Sequence, residues 1–267
     1  MSTNNARVIL ITGGGNGIGR ATAIKFSEQG YKVAVADINI ESAQETVRML
    51  KNPSIVIQVD VTDSKSVEAM INATVKSFGR IDCAFNNAGV EGVRKNTDKY
   101  PEVEFDRVMN TNLKGVWLCL KYEIIQMMKQ ELDISNPDKW KDKADLCRFK
   151  GSKGNIVNTS STAGLGIVPE FTPYCASKWA VIGMTKSIAN EYAREGIRIN
   201  AVCPATTDTP MRSRFQEQWP EWQSRVDAGY PAGRISAPEE IAEAVYWLCG
   251  DACPFVTGEY LKVAGGI

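Results

Sequence analysis

Residues 7–12 (Arg-Val-Ile-Leu-Ile-Thr) form a short continuous apolar run, the pattern of a parallel strand buried on both faces. The run ends in Gly13-Gly14-Gly15-Asn16-Gly17-Ile18-Gly19, and an amphipathic helical pattern follows to about residue 29. A glycine-rich turn between a strand and a helix lets backbone N–H groups and the helix N-terminus approach a pyrophosphate. The strict Gly-x-Gly-x-x-Gly spacing is not met, because Ile18 occupies its last position when counted from Gly13. A P-loop fits from Gly14 to Gly19, but Arg20 and Ala21 stand where Lys and Ser/Thr are required. The pattern that remains is Thr12-Gly-x-x-x-Gly-Ile-Gly19. It nominates Gly13, Asn16, Gly17, Ile18 and Gly19 as a phosphate cradle and makes a P-loop NTPase a poor fit.

Strands and helices alternate along the rest of the chain. A second strand at 32–36 ends in Asp37, twenty residues after Gly17. A carboxylate there can accept hydrogen bonds from ribose hydroxyls and would repel a 2′-phosphate, so NAD is favoured over NADP. A third strand, 55–61, ends in Asp60-Val61, placed to border an adenine, and Thr62 or Asp63 opens the next helix. A fourth, 81–85, runs into Asn86-Asn87-Ala88-Gly89, at the strand edge where open α/β sheets bind ligands. A helical pattern covers 103–128 with Asn112 near its middle, a locally unfavourable residue whose place needs a reason. Residues 132–153 are polar and aperiodic and are expected to form a surface insertion. A fifth strand, 154–161, ends at Ser161. A sixth, 197–202, is followed by an irregular excursion over 206–231 carrying Phe215, Trp219, Trp222 and Tyr230, expected to act as a lid. A helix at 238–249 and a strand at 260–264 close the pattern. The economical architecture is one doubly wound parallel sheet in a single domain, 1–267.

Tyr174 and Lys178 are four residues apart in Tyr-Cys-Ala-Ser-Lys, so they share one helix face. Thr172 and Pro173 suit an N-cap and a first helical position. A phenol titrates near ~10 in water, and a nearby ammonium favours the phenolate, so a lowered phenol pKa is expected. Such a group suits proton exchange in an alcohol–carbonyl couple. Ser161, thirteen residues earlier, could donate to the same substrate oxygen.

Composition removes several alternatives. The chain has 31 basic and 31 acidic residues and no histidine. Balanced charge offers no electrostatic reason to expect nucleic acid or an anionic membrane. Without histidine there is no Ser-His-Asp triad and no imidazole-ligated zinc, and no metal is expected. Seven scattered cysteines fit reduced thiols in the cytoplasm better than a disulfide framework. The segment before residue 7 is too short for a signal peptide, and no apolar run reaches membrane-spanning length.

These motifs, in this order and spacing, resemble the short-chain dehydrogenase/reductase family. They are Thr12-Gly-x-x-x-Gly-Ile-Gly19, Asn86-Asn-Ala-Gly89, Asn112, Ser161, Tyr174-x-x-x-Lys178 and the 204–211 segment. The nearest flavour is bacterial glucose dehydrogenase-like or acyl-carrier-protein reductase-like members. The resemblance implies a seven-stranded Rossmann sheet, a homotetramer or homodimer, and hydride exchange with a nicotinamide. It implies that Tyr174 is the general acid/base and that Lys178 binds the nicotinamide ribose and lowers the Tyr174 pKa. It further implies that Ser161 holds the substrate oxygen and that Asn112 keeps a water linking Lys178 to solvent. Asn87 would contact ribose, Ala88 and Gly89 would complete that turn, and Thr207 and Thr209 would reach the carboxamide and phosphates. Three departures stand out: Ala205 where the family has Gly, Thr207 where it has Val or Ile, and the 132–153 insertion, expected on the face away from the cofactor. The implied activity is NAD(H)-dependent interconversion of an alcohol and a ketone. The alternatives are a 3-oxoacyl-acyl-carrier-protein reductase and a non-catalytic NAD(H)-binding regulator. Substrate walls are expected at 91–94, 165–171 and 215–222.

Overall fold

The structure, a computed structural model, describes residues 6–133, 151–222, 224 and 229–267. Seven strands form one sheet in the order β3-β2-β1-β4-β5-β6-β7, every neighbouring pair parallel. They are β1 (Val8–Thr12), β2 (Lys32–Asp37), β3 (Ser54–Gln58), β4 (Cys83–Asn86), β5 (Gly154–Thr159), β6 (Ile197–Pro204) and β7 (Tyr260–Val263). The helices between them are α1 (Gly17–Glu28), α2 (Ile40–Arg48), α3 (Ser64–Phe78), α4 (Glu102–Met109), α5 (Val116–Met128), α6 (Thr172–Tyr192), α7 (Pro210–Gln218) and α8 (Pro238–Cys249).

Alternation along the strands builds two cores, one on each face of the sheet. Ile9 and Ile11 of β1 face a layer with Phe26, Val35, Phe85, Ile241 and Val245. Leu10 faces the other, with Met70, Leu120, Met127, Ile156, Val181 and Ile199. Each fully buried side chain of this size contributes about 1.5–3 kcal/mol, so strand placement is dictated by two-sided burial.

Strand order reverses between β1 and β4, and a crevice opens beyond their C-terminal ends. The turns after both strands are tied together there. Thr12 Oγ1 accepts from the backbone N–H of Asn87 and Ala88 (3.1 and 3.3 Å), and Asn87 Nδ2 donates to the Gly13 carbonyl at 3.1 Å.

Several boundaries differ from the sequence reading. β3 stops at Gln58, so Asp60 and Val61 stand in the following loop; Asp60 instead accepts from Thr62, and Val61 packs into the core. β5 stops at Thr159, and Ser161 caps a short 3₁₀ turn by accepting from Ala163 N–H at 3.1 Å. Phe171, not Thr172, is the residue preceding α6. The single helix expected at 103–128 is two helices joined by a π-turn at Asn110–Gly115. Part of the 206–231 excursion is regular, because Thr209 accepts from Arg212 N–H and so caps α7. Most of the expected insertion, 134–150, lies outside the described residues. Its edges pair through an antiparallel bridge between Asp133 and Ser152. Among the described residues, no helix is long and apolar enough to cross a membrane.

Candidate active site

The glycine turn after β1 is shaped by close approach. A side-chain carbon on Gly19 would collide with the Gly13 carbonyl oxygen, and Gly13 itself sits at φ +63° with Ala88 Cα 2.9 Å from where its Cβ would stand. Asn16 precedes α1 in extended conformation without capping it. The first N–H groups of α1 therefore keep their positive end free of a side-chain acceptor. Asp37, buried at the end of β2, accepts from Gly15 N–H at 2.8 Å and from Asn39 N–H at 2.9 Å. A carboxylate offers about four acceptor positions, so two remain for ribose hydroxyls. A helix N-terminus, a backbone cradle without side chains and a buried acceptor carboxylate are the donor and acceptor set that an adenine dinucleotide needs.

A cavity of about 380 Å³ opens beside this cradle. Of the residues nominated from sequence, it brings together Ile18, Asn87, Gly89, Ser161, Tyr174, Lys178, Thr207 and Thr209. Gly13, Asn16, Gly17, Gly19, Asp37, Asp60, Val61, Ala88 and Asn112 are not part of its wall.

Lys178 is 4% exposed, and its Nζ donates to the Thr159 carbonyl at 2.9 Å, 5.6 Å from the Tyr174 ring centroid. Burial pushes this ammonium down to about 8. Tyr174 shifts opposite to the expectation from sequence. Burial pushes its phenol up to about 12; hydrogen bonding with Ser161 opposes this, and the charges of Cys175 and Glu91 add to it. The reason is geometric: the lysine's hydrogen bond goes to a backbone carbonyl rather than to the phenol, and desolvation disfavours both charged forms.

Asn112 is fully buried in the π-turn. Its Oδ1 accepts from Val90 N–H and its Nδ2 donates to the Val90 carbonyl, both at 2.8 Å; Nδ2 also reaches Ser177 Oγ at 3.3 Å. Two such bonds contribute about 1 kcal/mol each, more than the roughly 0.7 kcal/mol lost by placing Asn in a helix. π-turns recur where a helix must re-aim a side chain at a functional site. Asn112 thus clamps the irregular segment that follows Gly89 and does not line the cavity.

The distal wall comes from three segments. Phe215 of α7 stacks on Phe171 at 4.5 Å and meets Trp222 edge-on at 5.2 Å. Arg94 lies 4.2 Å from the Trp219 ring centroid and pairs with Glu170 at 2.6 Å. Glu91, beyond the β4 turn, receives two bonds from Arg214 of α7, 2.6 Å to Nε and 3.2 Å to the terminal nitrogen. Gln218 Oε1 accepts from Arg94 N–H at 2.9 Å. Arg214 is 53% exposed, so its pair is worth at most about 1 kcal/mol. Ile167, Val168, Met211, Tyr230 and Ile267 also line the cavity. Ile167 and Val168 fall in the wall expected at 165–171, and Met211 and Tyr230 in the 206–231 excursion; Ile267 is marked by nothing in the local pattern of the sequence.

Comparison with known proteins agrees with this geometry. The short chain dehydrogenase family profile matches residues 7–134, and that described as Enoyl-(Acyl carrier protein) reductase matches residues 143–267. A 2,5-dichloro-2,5-cyclohexadiene-1,4-diol dehydrogenase of Sphingobium indicum is 35% identical over 266 residues, covering 100% of this chain and 98% of the relative. A solved levodione reductase superposes with a TM-score of 0.85 at 33% identity, covering 97% of this chain and 96% of that one. An NAD⁺-bound xylitol dehydrogenase superposes with a TM-score of 0.79 at 31% identity, covering 99% and 100%. Neither the glucose dehydrogenase-like nor the acyl-carrier reductase-like flavour is singled out by these relatives. With its parallel seven-stranded sheet, its glycine cradle and relatives along its whole length, the chain belongs to the short-chain dehydrogenase/reductase family of nicotinamide-dependent oxidoreductases.

Proposed function

We propose that the protein is an NAD(H)-dependent dehydrogenase that interconverts a compact secondary alcohol and its ketone. The observation that carries the reading is the convergence of Ser161, Tyr174 and Lys178 on one cavity that also reaches Ile18, Asn87 and Thr209 beside the dinucleotide cradle. Bound nicotinamide supplies the hydride acceptor or donor. Gly13–Gly19 and the α1 N-terminus would hold its pyrophosphate, Asp37 the adenosine ribose, and Asn87 with Lys178 the nicotinamide ribose; Asp60 and Val61 border the adenine end. Ser161 orients the substrate oxygen. Tyr174 gives that oxygen a proton in carbonyl reduction, and as phenolate takes the hydroxyl proton in alcohol oxidation. A phenol near 12 holds its proton at neutral pH, so the acid form dominates there; oxidation rises with pH as phenolate accumulates, and reduction falls through the same group.

Residues 206–231 are read as a lid over the cavity, held by the Arg214–Glu91 pair; residues 223 and 225–228 lie outside the described set. NAD is preferred because the Asp37 carboxylate meets the ribose and no Lys or Arg stands at 37–40 to receive a phosphate. Diol, dione and polyol relatives support a small, oxygenated, often cyclic substrate. Exposed Trp117 and Ile125 of α5, Trp179 of α6, Trp247 of α8 and Tyr260 of β7 support the homo-oligomer; a sedimentation mass equal to one chain would remove that part.

The experiment is NADH binding by fluorescence, followed by turnover of a panel of secondary alcohols and ketones with NAD(H) and NADP(H). NADH binding without turnover of any member favours the regulator over the enzyme. A kcat/KM for NADP equal to or above that for NAD would overturn the cofactor choice.

A further inference from the structure

Glu91 is the one acidic side chain among the described residues of the cavity wall, and it is 8% exposed. The same wall carries the apolar and aromatic Val168, Met211, Phe215 and Trp222, with Arg212, which pairs with Asp208. A buried carboxylate in such a place is costly, and an aliphatic side chain would suit the wall better unless the charge has a task. Each Glu91 oxygen already accepts one bond from Arg214, Oε1 from Nε and Oε2 from the terminal nitrogen. With about four acceptor positions on a carboxylate, each oxygen keeps one. The guanidinium fork fixes the plane of the carboxylate and with it the direction of those positions. Glu91 is also close enough to the reacting end for its charge to be felt by the Tyr174 phenol.

We propose that Glu91, steadied by Arg214, accepts a hydrogen bond from a second hydroxyl of the substrate, so that compact diols and hydroxyketones are preferred over simple alcohols. The inference rests on the alcohol–ketone reading above and deepens it. Only the hydroxyl at Ser161 and Tyr174 reacts, losing a proton to the phenolate and a hydride from its carbon. The second hydroxyl is unchanged and donates to Glu91 before and after. A hydroxyl lost from the substrate leaves the carboxylate short of a donor, the situation in which polar sites discriminate most strongly. A substrate carboxylate at the same place is repelled.

The test is kcat/KM with NAD⁺ for cyclohexanol and the isomeric cyclohexanediols. The enzymes are wild type, Glu91→Leu, Glu91→Gln and Arg214→Met, each checked for folding by circular dichroism. Wild type is expected to prefer at least one diol over cyclohexanol by about tenfold or more, ~1.4 kcal/mol. Glu91→Leu collapses that ratio toward one, and Glu91→Gln, whose amide oxygen still accepts, retains part of it. Arg214→Met releases the carboxylate from its fixed plane and is expected to lower the ratio too, by less than Glu91→Leu does. A ratio equal in wild type and Glu91→Leu, or a wild type that favours cyclohexanol, overturns the proposal while the alcohol–ketone reading stands. Should Glu91→Leu fail to fold, an unchanged ratio in Glu91→Gln overturns it instead. A wild type that binds NADH but oxidises none of these alcohols and reduces no ketone overturns both.

Discussion

The two halves of the site are built by different means. The cofactor half, around the turns after β1 and β4, is made of backbone held at close quarters: the Gly13–Gly19 cradle, the Thr12 hydroxyl bridging to Asn87 and Ala88, and the Asp37 carboxylate on Gly15 N–H. The substrate half is made of side chains that meet across long stretches of sequence. Glu91 and Arg214 are separated by 123 residues, Arg94 and Glu170 by 76, and the Phe171–Phe215 stack joins α7 to the segment before α6. The first kind of construction tolerates little change at fixed positions. The second can be rearranged by exchanging pairs, which suits a scaffold serving many substrates.

Four measurements would break or sharpen that contrast. Tyr174→Phe has the largest expected effect, because it removes the acid at the junction of the halves. Turnover should fall by roughly 10²–10⁴-fold, with NADH affinity little altered because the ring remains. Near-normal turnover would show that another group carries the proton.

Glu123 of α5 comes next and concerns the floor beneath both halves. It is fully buried; its Oε2 accepts from Asn86 Nδ2, which also donates to Asn158, and Asn158 donates to Thr185, each at 3.0 Å. Its Oε1 and Asn86 Oδ1 have no partner among the described residues. Burial raises its carboxyl from 4.5 to about 7. The folded state therefore holds this proton more tightly than the unfolded chain. Its favourable contribution is fully present below pH 4.5 and is lost as pH rises to about 7, a gap of about 3 kcal/mol at most. Urea unfolding at pH 5 and pH 8 should show Glu123→Gln gaining on wild type at the higher pH. Parallel stabilities at both pH values would mean the carboxyl is ionised in the core.

Gly19→Ala tests the rigid half directly. Its Cβ meets the Gly13 carbonyl oxygen, so NADH affinity should weaken by about tenfold or more, ~1.4 kcal/mol. Phe215→Ala in the adaptable half should instead raise the substrate KM and leave NADH binding near wild type. If both variants lose NADH equally, the two halves are not separable.

The smallest effect is expected at Asp37→Ser, which removes the charge that opposes a 2′-phosphate. The NAD-over-NADP ratio should narrow by several-fold, on the order of 1 kcal/mol. An unchanged ratio would place cofactor choice on other residues.

Much of this molecule was legible along the chain. The strand and helix alternation, the glycine cradle and the Tyr174–Lys178 pair each depend on neighbours a few residues away, because helical and extended backbones have fixed periods. Asn112 stood out as a polar misfit in a helical pattern, but its π-turn did not, since the turn exists only because Val90 offers both its N–H and its carbonyl to one side chain. The raised Tyr174 phenol and the lowered Lys178 ammonium were equally invisible. Spacing shows that the two groups can approach; only the folded structure shows that desolvation dominates both shifts and that the lysine donates to the Thr159 carbonyl instead. The Glu91–Arg214 pair belongs to the same class, whereas the Thr209 cap and Pro210 that start α7 are local signals. Local periodicity and turn chemistry act between adjacent residues and are written in sequence order. Ion pairs, ring stacks and desolvation act through space, and they are decided only when the folded sheet brings distant segments to one edge.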